Sequence, residues 1–250
     1  MTEDTFISHL IELRDRLLRA LVVFAVVLLA LIPFSAELYD LLATPMMHAL
    51  PEGSKMIATG VITPFLVPIK VAMMLAFVLT LPFTLYQAWS FIAPGLYNHE
   101  KRLVLPLVVA STLLFVIGIA FCYFFVFNTV FHFINQIAPK SISVAPDIEN
   151  YLNFVLTMFL AFGLTFETPI VVVMLTRMGL VTIEQLREAR PYFIVIAFVI
   201  AAVVTPPDVV SQLLLAVPMC LLFEVGLIAA RFVPKRAAEG SDGYSPPTDA

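Results

Sequence analysis

The chain has 250 residues, of which 61% are apolar and 13% charged, against about 45–50% and about 25% in soluble domains. With a mean hydropathy of +0.99, 9 glycines and 2 cysteines, the composition excludes a water-soluble fold, a disordered chain, a collagen and a disulfide scaffold. What remains is an all-α polytopic membrane protein, and its net charge of −4 matters less than where the charges fall.

The chain opens on Phe6, Leu10, Leu13 and Leu17 at helical spacing, with Glu12/Arg16 and Asp15/Arg19 at i,i+4. That pattern predicts an amphipathic helix at the membrane surface, tied by ion pairs. Glu3, Asp4, Glu12 and Asp15 argue against a cleaved leader, whose first region is basic. The helix runs into the first predicted span, 17–34. An apolar segment with several prolines follows over 35–70. A stretch of that length and composition packs as short helices over the outer ends of the spans.

Five further spans are predicted at 71–93, 103–127, 152–176, 192–204 and 209–230. The fifth covers roughly 20 Å, short of a hydrocarbon core about 30 Å thick. Thr205-Pro206-Pro207-Asp208 then turns the chain directly into the sixth. Pro82, Pro106, Pro169 and Pro218 fall inside spans. They are expected to bend helices and leave a concave wall, although membrane helices commonly tolerate proline. With the N-terminus cytoplasmic, 11 of the 14 basic residues lie on the cytoplasmic side; Lys55, Lys70 and Lys140 lie outside. That bias obeys the positive-inside rule and puts both termini in the cytoplasm. The expected architecture is a six-helix domain over 1–233, a concave bundle with short fifth and sixth spans, and a disordered cytoplasmic tail over 234–250. Cys122 and Cys220 fall inside spans and act as small apolar residues.

Glu167 lies near the middle of the fourth span. An acid there costs on the order of 2.5–3.5 kcal/mol, so it must face protein or water. It marks either a polar site in a membrane cavity or a structural hydrogen bond to another span. Glu224 is nearer a helix end, where snorkelling is cheap. Thr205 and Gln212 flank the last two spans and suit a docking face for another protein's helix. Between spans two and three, Glu100 stands beside Lys101 and Arg102, while Trp89 and Tyr97 fit the interfacial aromatic belt. There is no P-loop, no H-E-x-x-H and no G-x-S-x-G, and the histidines at 9, 48, 99 and 132 have no metal spacing. The sequence therefore predicts no enzyme, no cofactor, no metal and no nucleic-acid partner. A proton-coupled small-molecule carrier using Glu167 and Glu224 is the alternative, but the inverted repeats common in carriers are missing.

Several motifs, in order, resemble one family. The stretch from His9 to Leu17 reads H-L-x-E-L-R-x-R-L. Phe91 to Arg102 fits F-x-x-P-x-L-Y-x-x-E-[KR]-[KR]. Phe162 to Pro169 fits F-G-x-x-F-E-x-P, and Arg190-Pro191-Tyr192 and Thr205-Pro206-Pro207-Asp208 follow. Together they resemble the C-subunit family of the twin-arginine translocase (TatC) over about residues 6–232. The resemblance implies a receptor in the bacterial inner membrane for folded proteins bearing twin-arginine signal peptides. It also implies an oligomeric complex with the single-span subunits TatA and TatB, driven by the proton-motive force. It assigns signal recognition to Glu12 and Glu100, with Arg14, Phe91 and Leu96 nearby. It assigns the intramembrane acid to Glu167, an important outer-loop proline to Pro45, and partner docking to Thr205 and Gln212. The chain departs from the family before Pro64-Phe65, where Met56 to Gly60 carries no acid.

Overall fold

The computed structural model describes residues 3–49, 56–92, 104–137, 146–205 and 208–232. Leu96, Tyr97, Glu100, Pro206, Pro207 and the tail 234–250 lie outside the described residues. Among the described residues the regular elements are all helices, and the one strand-like contact is an isolated bridge between Ile57 and Asp147.

The amphipathic segment and the first span form one continuous helix, α1 (Glu3–Leu31). A single 3-10 turn, Ile32–Phe34, ends it at Pro33, whose ring and missing N–H cannot continue the ladder. Helix α2 (Ser35–Ala49) follows and packs against α3 and α5, as the apolar outer segment predicts. Helix α3 (Thr63–Ile92) starts eight residues before the expected span. Lys70, expected in an outer loop, therefore lies inside it. The third span is longer than expected: α4 (Val104–Phe121) passes through a π-helical turn, Cys122–Val126, into α5 (Phe127–Ile137). The fourth span is two helices, α6 (Ile148–Phe166) and α7 (Thr168–Arg177), broken at Glu167. A short helix α8 (Ile183–Glu188), opened by a Thr182/Gln185 capping box, leads to α9 (Arg190–Val204) and α10 (Val209–Phe232).

Five stretches of the described residues are long and apolar enough to cross a bilayer, and α9 is the shorter apolar helix beside them. The expectation of two short final spans holds for α9 only. Its 15 residues rise about 22 Å, whereas the 24 residues of α10 rise about 36 Å. One of the four prolines expected to bend spans sits at a helix start, and another marks a helix break. Pro106 is the third residue of α4, a first-turn position where proline costs nothing; Pro169, the second residue of α7, stands at the break in the fourth span. Pro82 and Pro218 are interior, as is Pro68.

Helix α1 lies along α3, α3 also touches α4 and α6, α7 lies along α10, and α10 along α9. The core forms where α4, the π turn and α5 meet α6, with Cys122, Val126, Phe127, Met158, Phe159 and Phe162 buried in one cluster. Lipid tails are as apolar as leucine, so close packing rather than hydrophobicity holds such helices together. Gly118 and Gly163 let α4 and α6 approach until a Cβ on either would meet the Phe162 carbonyl or the Phe115 ring.

The far end of the bundle, opposite the start of α1, is stitched by polar contacts. Ile57 N donates to Pro146 O (3.0 Å) and Ile148 N to Ile57 O (2.9 Å). Thr59 Oγ1 and N donate to Asp147 at 2.7 and 3.1 Å. Lys70 Nζ reaches Glu149 at 2.9 Å and Asn153 at 3.2 Å, joining α3 to α6.

Candidate functional site

At the end of the bundle where α1 begins, the first turns of α1 meet the last turns of α3. The Glu12–Arg16 pair forms as the spacing predicts, with Arg16 Nη2 at 2.5 Å and Nε at 3.1 Å from Glu12 Oε1. Arg16 Nη1 also donates to Gln87 O of α3 at 3.5 Å. The His9 ring stacks on Phe91 with centroids 4.2 Å apart, and His9 Nδ1 lies 3.8 Å from Glu12 Oε2. Glu12 and Phe91, 79 positions apart in the sequence, thus belong to one patch of carboxylate, guanidinium and stacked rings. Arg14 stands outside it: its exposed side chain pairs with Asp15 at 2.8 Å. The expected Asp15–Arg19 pair gives way to this neighbour contact. Leu96 and Glu100 lie outside the described residues.

Within the membrane thickness, Glu167 sits on the turn between α6 and α7. Its backbone N–H bonds Leu164 O, and its carbonyl accepts from Ile170 and Val171. Pro169 supplies no N–H to α6, so the helix ends there and restarts. The Glu167 carboxyl lies beside the hydroxyl of Ser111, a fully buried residue of α4. Glu167 Oε1 and Ser111 Oγ are both buried and have no hydrogen bond of standard geometry. Gly226 of α10 brings that helix against Pro169 and Val172 just below the turn. A second feature is an open apolar groove of about 600 Å³, walled by Leu41 and Leu42 of α2, Met74 and Val78 of α3, Ile119 of α4 and Phe159 of α6.

The residues assigned to partner docking lie where α9 turns into α10. Thr205 is buried and its hydroxyl bonds Ala201 O at 2.7 Å. Gln212 is half-buried on the first turn of α10, a turn capped by Asp208, whose Oδ1 accepts from Ser211 N at 2.7 Å. At the opposite end of these two helices Glu224 pairs with Arg190 at 2.5 Å, beside stacked Phe193 and Phe223. Glu224 is therefore an ion-pair partner that clasps α9 to α10, a role its sequence context does not reveal. Among the described residues no group of three His, Cys, Asp or Glu side chains is placed to hold a metal ion.

An all-helical bundle with five long apolar helical stretches and a shorter one, a charged patch at one end and an acid at the break in its fourth span has the architecture of a multi-pass membrane protein. The family model for the Sec-independent protein translocase protein (TatC) matches residues 8–218. The TatC protein of Escherichia coli K12 is 50% identical over 232 residues, covering 92% of this chain and 90% of the relative. That of Haemophilus influenzae is 49% identical over 235 residues, covering 94% and 92%. A crystal structure of the twin-arginine translocase receptor TatC superposes with a TM-score of 0.79 at 37% identity, covering 89% of this chain and 98% of that one. The chain belongs to the TatC family of protein translocase subunits.

Proposed function

We propose that this chain is the signal receptor and core subunit of a twin-arginine translocase in the bacterial inner membrane, with both termini in the cytoplasm. It binds twin-arginine signal peptides, recruits the single-span subunits TatA and TatB, and exports folded proteins at the expense of the proton-motive force. The observation that carries the reading is the Glu12 patch at the start of α1. Glu12 already accepts a guanidinium from Arg16 through one oxygen and keeps its second oxygen for another donor. A planar guanidinium pairs with a carboxylate through two parallel N–H donors, which an ammonium cannot do. The stacked His9–Phe91 rings beside it suit the flat face of an arginine. Glu100 supplies the second acid for the second arginine. The apolar stretch of the leader then enters the groove between α2, α3 and α4, its distal end directed toward Glu167. Thr205 and Gln212 mark the rim where partner helices dock.

The test is direct binding of a twin-arginine leader peptide and its twin-lysine form to the purified protein. The twin-arginine form should bind at least about tenfold more tightly, a difference of about 1.4 kcal/mol. Glu12→Ala and Glu100→Ala should each remove most of that preference. Equal affinities for the two peptides, or unchanged binding by the double alanine variant, would refute the assignment.

A further inference from the structure

Helix α2 carries Pro45 within its Ser35–Ala49 span. Proline has no N–H, so the carbonyl four residues earlier, that of Leu41, lacks its i+4 donor in its own helix. A carbonyl left unpaired beside lipid is costly, and membrane helices tolerate proline where neighbouring elements supply the missing donor. One neighbour does so here, and a second phenol reinforces the adjoining carbonyl. Tyr123 Oη donates to Leu41 O at 3.3 Å, and Tyr151 Oη donates to Leu42 O at 3.1 Å. These phenols come from 82 and 109 positions away, one from the π turn and one from the first turn of α6. The π turn is the kind of local insertion that re-aims a side chain out of its helical register. Tyr151 is itself buried, at 6% exposure.

We propose that Pro45, Tyr123 and Tyr151 form one latch, in which the proline leaves the Leu41 carbonyl of α2 without its helical donor, Tyr123 binds that carbonyl and Tyr151 binds the adjoining Leu42 carbonyl, fixing α2 as the outer wall of the apolar groove. Leu41 and Leu42 belong to that wall, and Tyr123 lines the same groove. The tyrosines are positioning residues: they act on the groove through α2. Only the identity of the groove's occupant, the apolar stretch of a leader, rests on the proposed receptor function.

A double-variant cycle tests the latch. Tyr123→Phe removes one hydroxyl and keeps the ring; Pro45→Ala gives Leu41 O an intrahelical donor. In the otherwise unaltered protein Tyr123→Phe should lower the Tm in detergent by about 2–4 °C. In the Pro45→Ala background the same change should lower it by less than about 1 °C, because the hydroxyl no longer has an unpaired carbonyl to serve. Equal losses in the two backgrounds overturn the latch. If Tyr123→Phe alone does not accumulate in the membrane, the double variant with Pro45→Ala must accumulate; failure of both overturns it equally. A photo-crosslinker at Met74 then reports the occupant. Tyr123→Phe should reduce crosslinking to a bound twin-arginine leader severalfold. A coupled Tm cycle with no leader crosslink in any background would sink the receptor reading of the groove and leave the latch standing.

Discussion

Replacing Gly118 with alanine puts a Cβ 2.6 Å from the Phe162 carbonyl oxygen, 3.0 Å from its carbonyl carbon and 3.0 Å from Cγ of Phe166. Favourable contacts between carbon atoms begin at about 3.5 Å, so α4 and α6 must separate by roughly half an ångström or more. Two of the three obstacles are backbone, and no rotamer change relieves them. Overpacking of this kind costs about 1–3 kcal/mol. At roughly 2–4 °C per kcal/mol for a chain of this size, Gly118→Ala should lower the Tm by about 2–12 °C, read by thermal unfolding of the detergent-solubilised protein. The displacement falls where it matters: Gly118 lies two turns along α4 from Ser111, and Phe166 immediately precedes Glu167. Gly179→Ala is the contrast. Its backbone φ is +70° with open space around the new Cβ, so the substitution strains a turn without parting any helices. A Gly118→Ala protein that melts within 1 °C of the parent would refute the close α4–α6 register and the placement of Glu167 against Ser111 that depends on it.

Two further outcomes follow from the polar clasps. Removing one member of the Arg190–Glu224 pair, whose side chains are each 42% exposed, should cost no more than about 1 kcal/mol. The reciprocal swap, Arg190→Glu with Glu224→Arg, should recover most of the Tm lost by either single change; an uncoupled cycle would make the pair incidental. At the far end, the hydrogen bond from Thr59, with those from the Asn150 and Glu149 amides, holds the Asp147 carboxyl below its ordinary value of 3.8. A depressed carboxylate contributes stability above its unfolded pKa and loses it as pH falls through its folded one. Hydrogen exchange of the Ile57 and Ile148 amides should therefore accelerate below about pH 4 beyond its intrinsic rate, and Asp147→Asn should flatten that dependence. A wild-type protein whose protection is flat from pH 7 to 3 would exclude Asp147 as the acid-sensitive member of the clasp.

The number of crossings is legible in the sequence because bilayer thickness fixes how long an apolar run must be. The ends of the helices are not, because hydropathy falls at the interface while the backbone ladder continues. Hence α1 begins far upstream of its apolar core and α3 takes in Lys70. The Glu167-Thr168-Pro169 run signals something unusual, but reads as an acid inside a span; the structure makes it the turn between two helices. The Glu12–Arg16 pair is visible in advance because it is local. His9 with Phe91, Lys70 with Glu149 and Arg190 with Glu224 are not, since nothing in one sequence relates residues 82, 79 and 34 positions apart. The Asp15–Arg19 expectation fails for an energetic reason. An i,i+4 surface pair is worth only a few tenths of a kcal/mol, so the adjacent Arg14 competes for the same carboxylate.

The short helix α9 bears on the proposed export function. It is seated through Ala197 and Ala201, one turn apart and fully buried, while Tyr192, Val195, Val199 and Val203 remain exposed on its other sides. Small residues at the seat bring the α9 backbone close to its neighbours and leave the larger side chains for whatever surrounds the bundle. Lipid alone is a poor match, since the helix falls about 8 Å short of the hydrocarbon thickness, at a cost of fractions of a kcal/mol per ångström. That cost is relieved by thinning the bilayer beside α9 or by covering its surface with another protein's helix. Under the proposed function, the first would lower the barrier to a folded cargo and the second would draw a partner to this rim, so one short helix would favour both steps of the export cycle at the same place.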